Sequence, residues 1–239
     1  MNKQDLLFLI DVDGTLISTN FKAPQLMLEA VKLITGRDTE FHREDFAGRL
    51  DPIIIGSLIR RAGIKENPSP EMFRSIVQEY LKLLESRLDE NDIHIFDGVV
   101  DFLDYLKKYH IPYVLLTGNM RAGAEIKLKK AGLWHYFGDG AFADDGDSRD
   151  KLVPVAIDRA RKLYQSDFSK RCIWVLGDSV HDITCAHHNH VNALIVKTGN
   201  TPVQILEQHH PEYLCDTLED PKILIEDIMY ITQNKKSEK

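Results

Sequence analysis

Four short runs of consecutive apolar residues are spread along the chain. They occupy residues 6–10, 113–116, 172–176 and 193–196. A run that is apolar on both faces is typical of a central parallel strand covered by helices on each side. Each run ends in a polar or glycine-containing turn, and a stretch with helical spacing follows. This alternation predicts an α/β fold, a doubly wound parallel sheet of the Rossmann-like type.

About a hundred residues separate the first run from the second, far more than one crossover connection needs. Between residues 24 and 88 the apolar positions follow helical spacing. We therefore predict a core domain formed by residues 1–16 and 94–239. The intervening residues 17–93 are predicted to form an inserted helical domain.

Polar residues indicate helix ends inside this helical domain. Asp51 is a candidate N-cap with Pro52 in the first turn, and Ser69 is a candidate N-cap for the next helix. A loop at residues 46–48 is predicted to separate two helices, and Arg49 could project from it. An ordinary surface arginine is the alternative interpretation of Arg49.

Composition and charge narrow the range of partners. The net charge of −7 over 239 residues argues against nucleic acid as the main partner, although a local site can still be cationic. Cys172, Cys185 and Cys215 show no Cys-x-x-Cys spacing, which favours reduced thiols in a cytoplasmic protein. The early apolar run of five residues is too short for a signal peptide or a membrane span. We predict neither membrane nor nucleic-acid binding, and the oligomeric state is not readable.

Two acids directly follow the first apolar run. Asp11 and Asp13 can face the same side of a turn at the strand exit, and Gly14 lets the backbone bend sharply there. Carboxylates in different environments can divide the roles of ionised nucleophile and proton donor. The alternatives are a turn with two solvated acids and a calcium loop, but the closing Glu of a calcium loop is missing.

Polar residues also follow the second and third runs. Thr117, Gly118 and Asn119 form a tight turn whose hydroxyl and backbone N–H groups could bind an anion. Asp178 and Asp182 lie across a predicted strand-to-helix turn. Since ligands of open α/β sheets bind beyond the carboxyl ends of the strands, we expect these groups to meet Asp11 there. Carboxylate oxygens with room for water suit Mg²⁺.

Together these segments resemble the haloacid dehalogenase-like superfamily, in its phosphoglycolate phosphatase-like branch with a helical cap. Residues 11–16 match the family's first motif, Asp-x-Asp-Gly-Thr-Leu, and residues 177–182 match its Gly-Asp-x-x-x-Asp motif. The resemblance implies that Asp11 attacks phosphorus and forms an aspartyl-phosphate. It implies that Asp13 protonates the leaving oxygen and later activates water, and that Thr117 holds the phosphoryl group.

The resemblance also implies a cofactor, Mg²⁺, and its ligands. Asp11 and Asp178 would bind the metal directly, the backbone carbonyl of Asp13 would be a further ligand, and Asp182 would act directly or through a water. A zinc site formed by histidines 181, 187, 188 and 190 is an alternative. We favour the other interpretation, in which these histidines lie on an exposed helix face and at its end, with Asn189 and His190 ending the helix.

The family requires a Lys or Arg that pairs with the nucleophile and the phosphate. Two candidates occur, Arg149 and Lys151. Lys151 with Pro154 keeps half of the common Lys-Pro-x-Pro pattern, whereas Arg149 with Leu152 fits a variant preceded by an acidic loop. We favour Arg149, because a guanidinium can engage a phosphoryl oxygen and a carboxylate together. The resemblance also implies that Arg49, in the helical insertion, binds an anionic part of the substrate.

The predicted function is a magnesium-dependent phosphatase that hydrolyses a small phosphorylated metabolite, phosphoglycolate-like or a sugar phosphate. Two alternatives stay open. One is a phosphomutase resembling β-phosphoglucomutase, which shares the core motifs. The other is a catalytically inactive binding or scaffold protein of the same family.

Overall fold

The computed structural model describes residues 2–40, 48–64 and 68–234, so residues 46 and 47 of the predicted loop lie outside it. The strands are β1 (Leu7–Ile10), β2 (Ile17–Ser18), β3 (His94–Ile95), β4 (Tyr113–Leu116), β5 (Gly140–Ala141), β6 (Ile173–Gly177), β7 (Asn192–Val196) and β8 (Tyr213–Cys215). The α-helices are α1 (Lys22–Thr35), α2 (Asp51–Arg61), α3 (Pro70–Arg87), α4 (Val99–Lys108), α5 (Arg121–Lys130), α6 (Arg149–Tyr164), α7 (Val180–His188), α8 (Val203–Gln208) and α9 (Pro221–Asn234).

The main sheet of the described residues has six strands in the order β5-β4-β1-β6-β7-β8, and every neighbouring pair is parallel. Phe8 of β1 lies opposite Tyr113 of β4 on one side and Trp174 of β6 on the other. The strand order therefore changes direction at β1, which is the switch point where such sheets bind ligands. The predicted doubly wound α/β fold is confirmed.

The four predicted apolar runs correspond to β1, β4, β6 and β7. Side chains of β1 alternate between two buried clusters, with Leu7 and Leu9 on one face of the sheet and Phe8 and Ile10 on the other. On the second face Phe8 meets Phe102 of α4 edge to face, with ring centroids 5.7 Å apart. Because both faces are covered by helices, these strands are apolar throughout.

The helices α1, α2 and α3 lie between β2 and β3 in the chain. The two short strands pair antiparallel, with Ile17 opposite Ile95. This ladder lies where the sequence predicts the change from core to helical domain, and the domain division itself stays a prediction. Helix α3 packs against both α1 and α5, and the apolar side chains of α1–α3 join the cluster of Leu7 and Leu9.

The helix ends test the predicted caps. Ser69 caps α3, and its side chain accepts a hydrogen bond from the backbone N–H of Met72 at 3.2 Å. The prediction that Asp51 caps α2 is wrong, since Leu50 is the N-cap residue and Asp51 begins the helix. The Asp51 carboxylate instead accepts a hydrogen bond from the backbone N–H of Met120, in the core, at 2.9 Å.

Two further expectations concern the whole chain. In the part of the chain that the structure describes, no helix is both long and apolar enough to cross a bilayer. The cysteines at positions 172, 185 and 215 all fall within the described residues and form no disulfide with one another. Helix α7 ends at His188, and His190 just beyond it has a φ of 58°, as the predicted helix end requires.

Candidate active site

One cavity opens at the carboxyl edge of the sheet, with a volume of ≈440 Å³. Asp11 after β1, Thr117 after β4 and Asp178 after β6 all line it. The parallel arrangement brings these three strand ends to the same edge, which is why residues far apart in sequence meet here. Arg49, just before α2, and Tyr80 of α3 also line the cavity.

Three carboxylates meet at one end of this cavity. Oxygens of Asp11, Asp178 and Asp182 lie within 4.8 Å of one another, and we call these three residues the carboxylate cluster. Their exposed fractions are 4%, 7% and 0%. Three like charges at this spacing repel one another unless a cation lies nearby.

Arg149, the first residue of α6, supplies one positive charge to the cluster. Its Nη2 lies 3.1 Å from Oδ2 of Asp11 and 2.5 Å from Oδ1 of Asp182. Lys151, the other candidate, points away from the site, with 64% of its side chain exposed and an ion pair to Asp147 at 2.7 Å. The structure thus places Arg149 beside Asp11 and leaves Lys151 outside the site.

Asp182 has both oxygens engaged. Oδ1 accepts from Arg149, and Oδ2 accepts from the backbone N–H and the hydroxyl of Ser179 at 3.0 and 2.6 Å. Such a carboxylate is well placed to orient Arg149. It is also suited to act on a metal through a water rather than directly.

One guanidinium does not neutralise the carboxylate cluster. Burial raises the pKa of Asp11 to about 6, although Arg149 lowers it. Burial, together with the charges of Asp182 and Asp11, raises the pKa of Asp178 well above its usual range. A divalent cation would remove this excess negative charge, and an all-oxygen donor set of this kind fits Mg²⁺.

Glycines leave room around Asp178. A Cβ on Gly14, whose φ is 85°, would come within 2.5 Å of the Asp178 carboxylate, and one on Gly199 within 1.7 Å of its Oδ2. Thr15 donates its hydroxyl to Oδ1 of Asp178 at 3.3 Å. The backbone therefore encloses this carboxylate closely and fixes its direction toward Asp11.

A second group of polar side chains surrounds Asp13. Oδ2 of Asp13 accepts from Nζ of Lys127 and from Nδ2 of Asn119, each at 2.7 Å. Lys127 also donates to Oδ1 of Asn119 at 2.6 Å. We call Asp13, Asn119 and Lys127 the lysine network. All three line the cavity beside the carboxylate cluster.

Lys127 was not among the residues that the sequence singled out. It lies on the buried face of α5, above Gly123 and Ala124 at positions i−4 and i−3, and is 3% exposed. A lysine on the small, apolar face of an otherwise basic helix is the signal that could have identified it. Buried lysines need a partner, and Asp13 provides one.

The Thr117–Asn119 turn offers a donor to the cavity. Oγ1 of Thr117 accepts hydrogen bonds from the backbone N–H of Asn119 at 3.3 Å and from its Nδ2 at 2.8 Å. Since the hydroxyl oxygen already accepts two hydrogen bonds, its O–H group is left to donate one. Thr117 is fully buried yet lines the cavity, so an anion bound there would accept a hydrogen bond from this hydroxyl.

The segment before α2 docks onto this turn. The backbone N–H of Asp51 donates to the carbonyl of Gly118 at 2.7 Å. A Cβ on Gly118 would lie 2.3 Å from the carbonyl oxygen of Arg49, so the close approach requires glycine. Arg49 is exposed and lines the cavity. The residues predicted to bind substrate therefore lie on one wall of the cavity. They are Thr117, Gly118, Asn119 and Arg49.

Asp51 is, after Lys127, a second buried charged residue that the sequence did not assign to the site. It lines the cavity and is 6% exposed. Burial raises its pKa to about 6, while attraction to Lys127 and the hydrogen bond from Met120 lower it. The helical segment and the core therefore meet at a charged contact beside the lysine network.

The histidines do not form a comparable site. His187 pairs with Glu212 at 3.2 Å, and the side chains at positions 181, 188 and 190 are exposed. Over residues 2–40, 48–64 and 68–234, the closely spaced potential metal ligands are the carboxylate cluster alone. The zinc alternative gains no support from this arrangement.

Comparison with known proteins identifies the class of enzyme. Residues 6–188 match the haloacid dehalogenase-like hydrolase family. This match covers more than half of the chain, and the chain therefore belongs to that family and is a hydrolase. The resemblance inferred from the motifs is confirmed.

Individual relatives match nearly the whole chain. The probable phosphatase IndB of Dickeya dadantii (strain 3937) is 26% identical over 218 residues, which cover 90% of each chain. The pyrophosphatase PpaX of Bacillus anthracis (strain A0248) is 24% identical over 220 residues, covering 92% of this chain and 96% of that protein. A crystal structure of β-phosphoglucomutase from Clostridium difficile covers 98% of both chains with a TM-score of 0.72 at 15% identity, a likeness that shows the shared fold.

Proposed function

We propose that this protein is a magnesium-dependent phosphatase that hydrolyses small phosphorylated metabolites through an aspartyl-phosphate on Asp11. The observation that carries the proposal is the position of the Asp11 carboxylate. It directly follows the central strand β1 and lines the cavity, with one oxygen 3.1 Å from the Arg149 guanidinium and an oxygen within 4.8 Å of the Asp178 carboxylate. Family membership and the phosphatase relatives support the same activity.

In the proposed reaction Asp11 attacks the phosphorus atom in line with the leaving oxygen. Arg149 and the Thr117 hydroxyl stabilise the charge that spreads over the phosphoryl oxygens. Asp13 gives a proton to the leaving oxygen and takes one from the water that later cleaves the aspartyl-phosphate.

The metal would be held by Asp11 and Asp178, with the Asp13 backbone carbonyl as a further ligand and Asp182 acting through a water. When bound, Mg²⁺ supplies positive charge that offsets repulsion between the nucleophile and the phosphoryl group. The buried excess of negative charge in the carboxylate cluster supports this assignment.

The substrate class follows from the size and lining of the cavity. A volume of ≈440 Å³ suits a small molecule rather than a polymer. Arg49 adds a cation to the cavity lining, where it would bind a second anionic or polar group of the substrate. We infer a compact ester such as a phosphoglycolate-like compound or a sugar phosphate.

The test is phosphate release from p-nitrophenyl phosphate, with and without MgCl₂, by the wild type and Asp11→Asn. We expect activity only with the metal, and a loss of roughly 10⁴-fold or more in the variant, the scale seen when a covalent nucleophile is removed. Asp147→Asn changes an exposed acid that pairs with Lys151 and serves as the control. Wild-type rates from Asp11→Asn would contradict the mechanism.

The same assay separates the two alternatives. A scaffold protein releases no phosphate under any metal condition. A mutase converts one sugar phosphate into its isomer without net phosphate release, so a panel of phosphorylated metabolites is followed both for inorganic phosphate and for isomer formation. Ranking the panel by kcat/KM then identifies the preferred ester.

A further inference from the structure

We propose that Lys127 is a positioning residue for the proton-transfer acid: it anchors Oδ2 of Asp13, so that Oδ1 is the atom that exchanges the proton with the leaving group. This inference rests on the proposed phosphatase function. It concerns a residue that no motif of the sequence marks.

Both hydrogen bonds to the Asp13 side chain reach the same oxygen. Nζ of Lys127 and Nδ2 of Asn119 each lie 2.7 Å from Oδ2. Asn119 is itself fixed, because Lys127 donates to its Oδ1 at 2.6 Å and its Nδ2 also donates to Thr117. The three side chains therefore form a closed ring of hydrogen bonds, and Oδ2 of Asp13 is held at one corner.

Donors directed at Oδ2 decide where a proton can be. An oxygen that faces two N–H groups, one of them on an ammonium, cannot carry a proton without losing a hydrogen bond. A proton on Asp13 is therefore carried by Oδ1. Within the described part of the chain Oδ1 has no hydrogen-bond partner, and 40% of the Asp13 side chain is exposed at the cavity.

Lys127 is a stiff anchor because it is buried. Only 4% of its side chain is exposed, so water cannot readily replace its partners. Breaking one bond would leave an ammonium without compensation, which is costly in a buried position. The carboxylate that it holds is 40% exposed, and within the described residues Asn119 is the other side chain that donates a hydrogen bond to it.

The chemical step shows why this orientation matters. As the Asp11 oxygen bonds to phosphorus, the bond from phosphorus to the leaving oxygen breaks, and the proton on Oδ1 moves to that oxygen. In the second half-reaction a water oxygen bonds to phosphorus, the Asp11–phosphorus bond breaks, and a water proton returns to Oδ1. Both transfers need Oδ1 within hydrogen-bond reach of the reacting oxygen, and small misplacements of such groups are costly.

The experiment compares two esters that differ mainly in their leaving group, p-nitrophenyl phosphate and phenyl phosphate. Phenoxide is a poor leaving group, with a parent pKa of about 10 like that of tyrosine, and depends on the proton from Asp13. p-Nitrophenoxide leaves with much less help. The quantity measured is the ratio of kcat/KM for p-nitrophenyl phosphate to kcat/KM for phenyl phosphate.

In Lys127→Met we expect this ratio to rise about 10-fold, as partial loss of general acid catalysis predicts. Lys127→Arg keeps a charged donor and is expected to hold the ratio within about three-fold of the wild type. Lys129→Met, an exposed lysine of the same helix that pairs with Glu125, should leave the ratio unchanged. The ratio does not depend on the folded fraction, because unfolded enzyme lowers both rates equally.

Two failures can be told apart. If Lys127→Met lowers both kcat/KM values equally, Lys127 has only a structural role and the inference is wrong while the phosphatase function stands. If the wild type releases phosphate from neither ester with MgCl₂ present, the proposed function itself is wrong, and the inference falls with it.

Discussion

The carboxylate cluster and the lysine network lie side by side at one edge of the sheet, yet they differ in the balance of acidic and basic side chains. In the cluster, three acids share a single guanidinium among the residues that the structure describes, and all three acids are more than nine-tenths buried. In the network, one acid meets one buried lysine, and the acid is 40% exposed. The cluster therefore lacks positive charge that the network supplies from its own side chains.

This difference indicates what each half of the site does. Burial, together with repulsion among the three carboxylates, raises the pKa values of Asp11 and Asp178 and favours binding of a cation. In the network, two hydrogen bonds instead fix Oδ2 of Asp13, and within the described residues Oδ1 has no hydrogen-bond partner. The proposed reaction uses the first half for the metal and nucleophile and the second for the proton.

The largest effect expected within this comparison comes from removing Arg149, the cation that the described residues place at the carboxylate cluster. In Arg149→Met we expect kcat/KM for p-nitrophenyl phosphate to fall roughly 10²–10³-fold, because a buried donor to the transferring group is lost. Lys151→Met, on the exposed face of the same helix, is expected to stay within about two-fold of the wild type. Equal losses in the two variants would contradict the assignment of Arg149.

The next effect concerns Asp51, the acid beside the lysine network. Its pKa is raised from 3.8 to about 6 in the folded protein, so the folded state binds more protons than the unfolded state between those values. Its contribution therefore lowers the free energy of unfolding as the pH rises from 4 to 6, and the cost is complete above pH 6. At pH 8 we expect Asp51→Asn to be up to about 3 kcal/mol more stable relative to the wild type than at pH 4.

Urea unfolding of the wild type and Asp51→Asn at pH 4, 6 and 8 measures this difference directly. Comparing the two proteins cancels the titration of other acids. Asp38→Asn, an exposed acid of the helical segment, is the control and should show no such trend. A difference between wild type and Asp51→Asn that does not change with pH would show that Asp51 is already ionised without cost.

The smallest effect tests the excess charge of the carboxylate cluster in the absence of metal. With EDTA present, Asp178→Asn is expected to unfold at a higher temperature than the wild type, by the equivalent of about 1–2 kcal/mol, because one of three repelling charges is gone. With MgCl₂ the order should reverse, since only the wild type gains from binding the ion.

Thermal unfolding with EDTA and with MgCl₂ supplies both measurements. Asp147→Asn again serves as the control, because this acid is exposed and distant from the cluster. A wild type that MgCl₂ does not stabilise would contradict the proposed metal site. A less stable Asp178→Asn in EDTA would show that the cluster is balanced after all.

The central strands and their polar ends could be predicted from the sequence. Asp11, Thr117 and Asp178 each follow an apolar run directly, so the strand itself carries them to the sheet edge. The short edge strands β5 and β8 were not predicted. With two and three residues they carry too little apolar pattern to be distinguished from loops.

The cations of the site were less accessible to sequence reasoning. Arg149 and Lys151 are two residues apart at the start of one helix, and only the packing of α6 against the sheet decides which of them faces Asp11. Lys127 belongs to a basic stretch in which its neighbour Lys129 is exposed and pairs with Glu125 at the surface. The sequence predicts Asp51 as a helix cap, whereas its carboxylate accepts a hydrogen bond from the backbone N–H of Met120 in the core.

The sequence by itself determined the fold class, the family motif at residues 11–16 and the edge of the sheet where Asp11, Thr117 and Asp178 meet. The reason is that an apolar run and the polar residue after it are covalent neighbours, and a parallel sheet aligns every such pair. Only the tertiary structure decided that Arg149 pairs with Asp11, that Lys127 anchors Asp13, and that the helical segment docks on the Thr117 turn. Those contacts join residues on different elements, and their direction depends on how the elements pack.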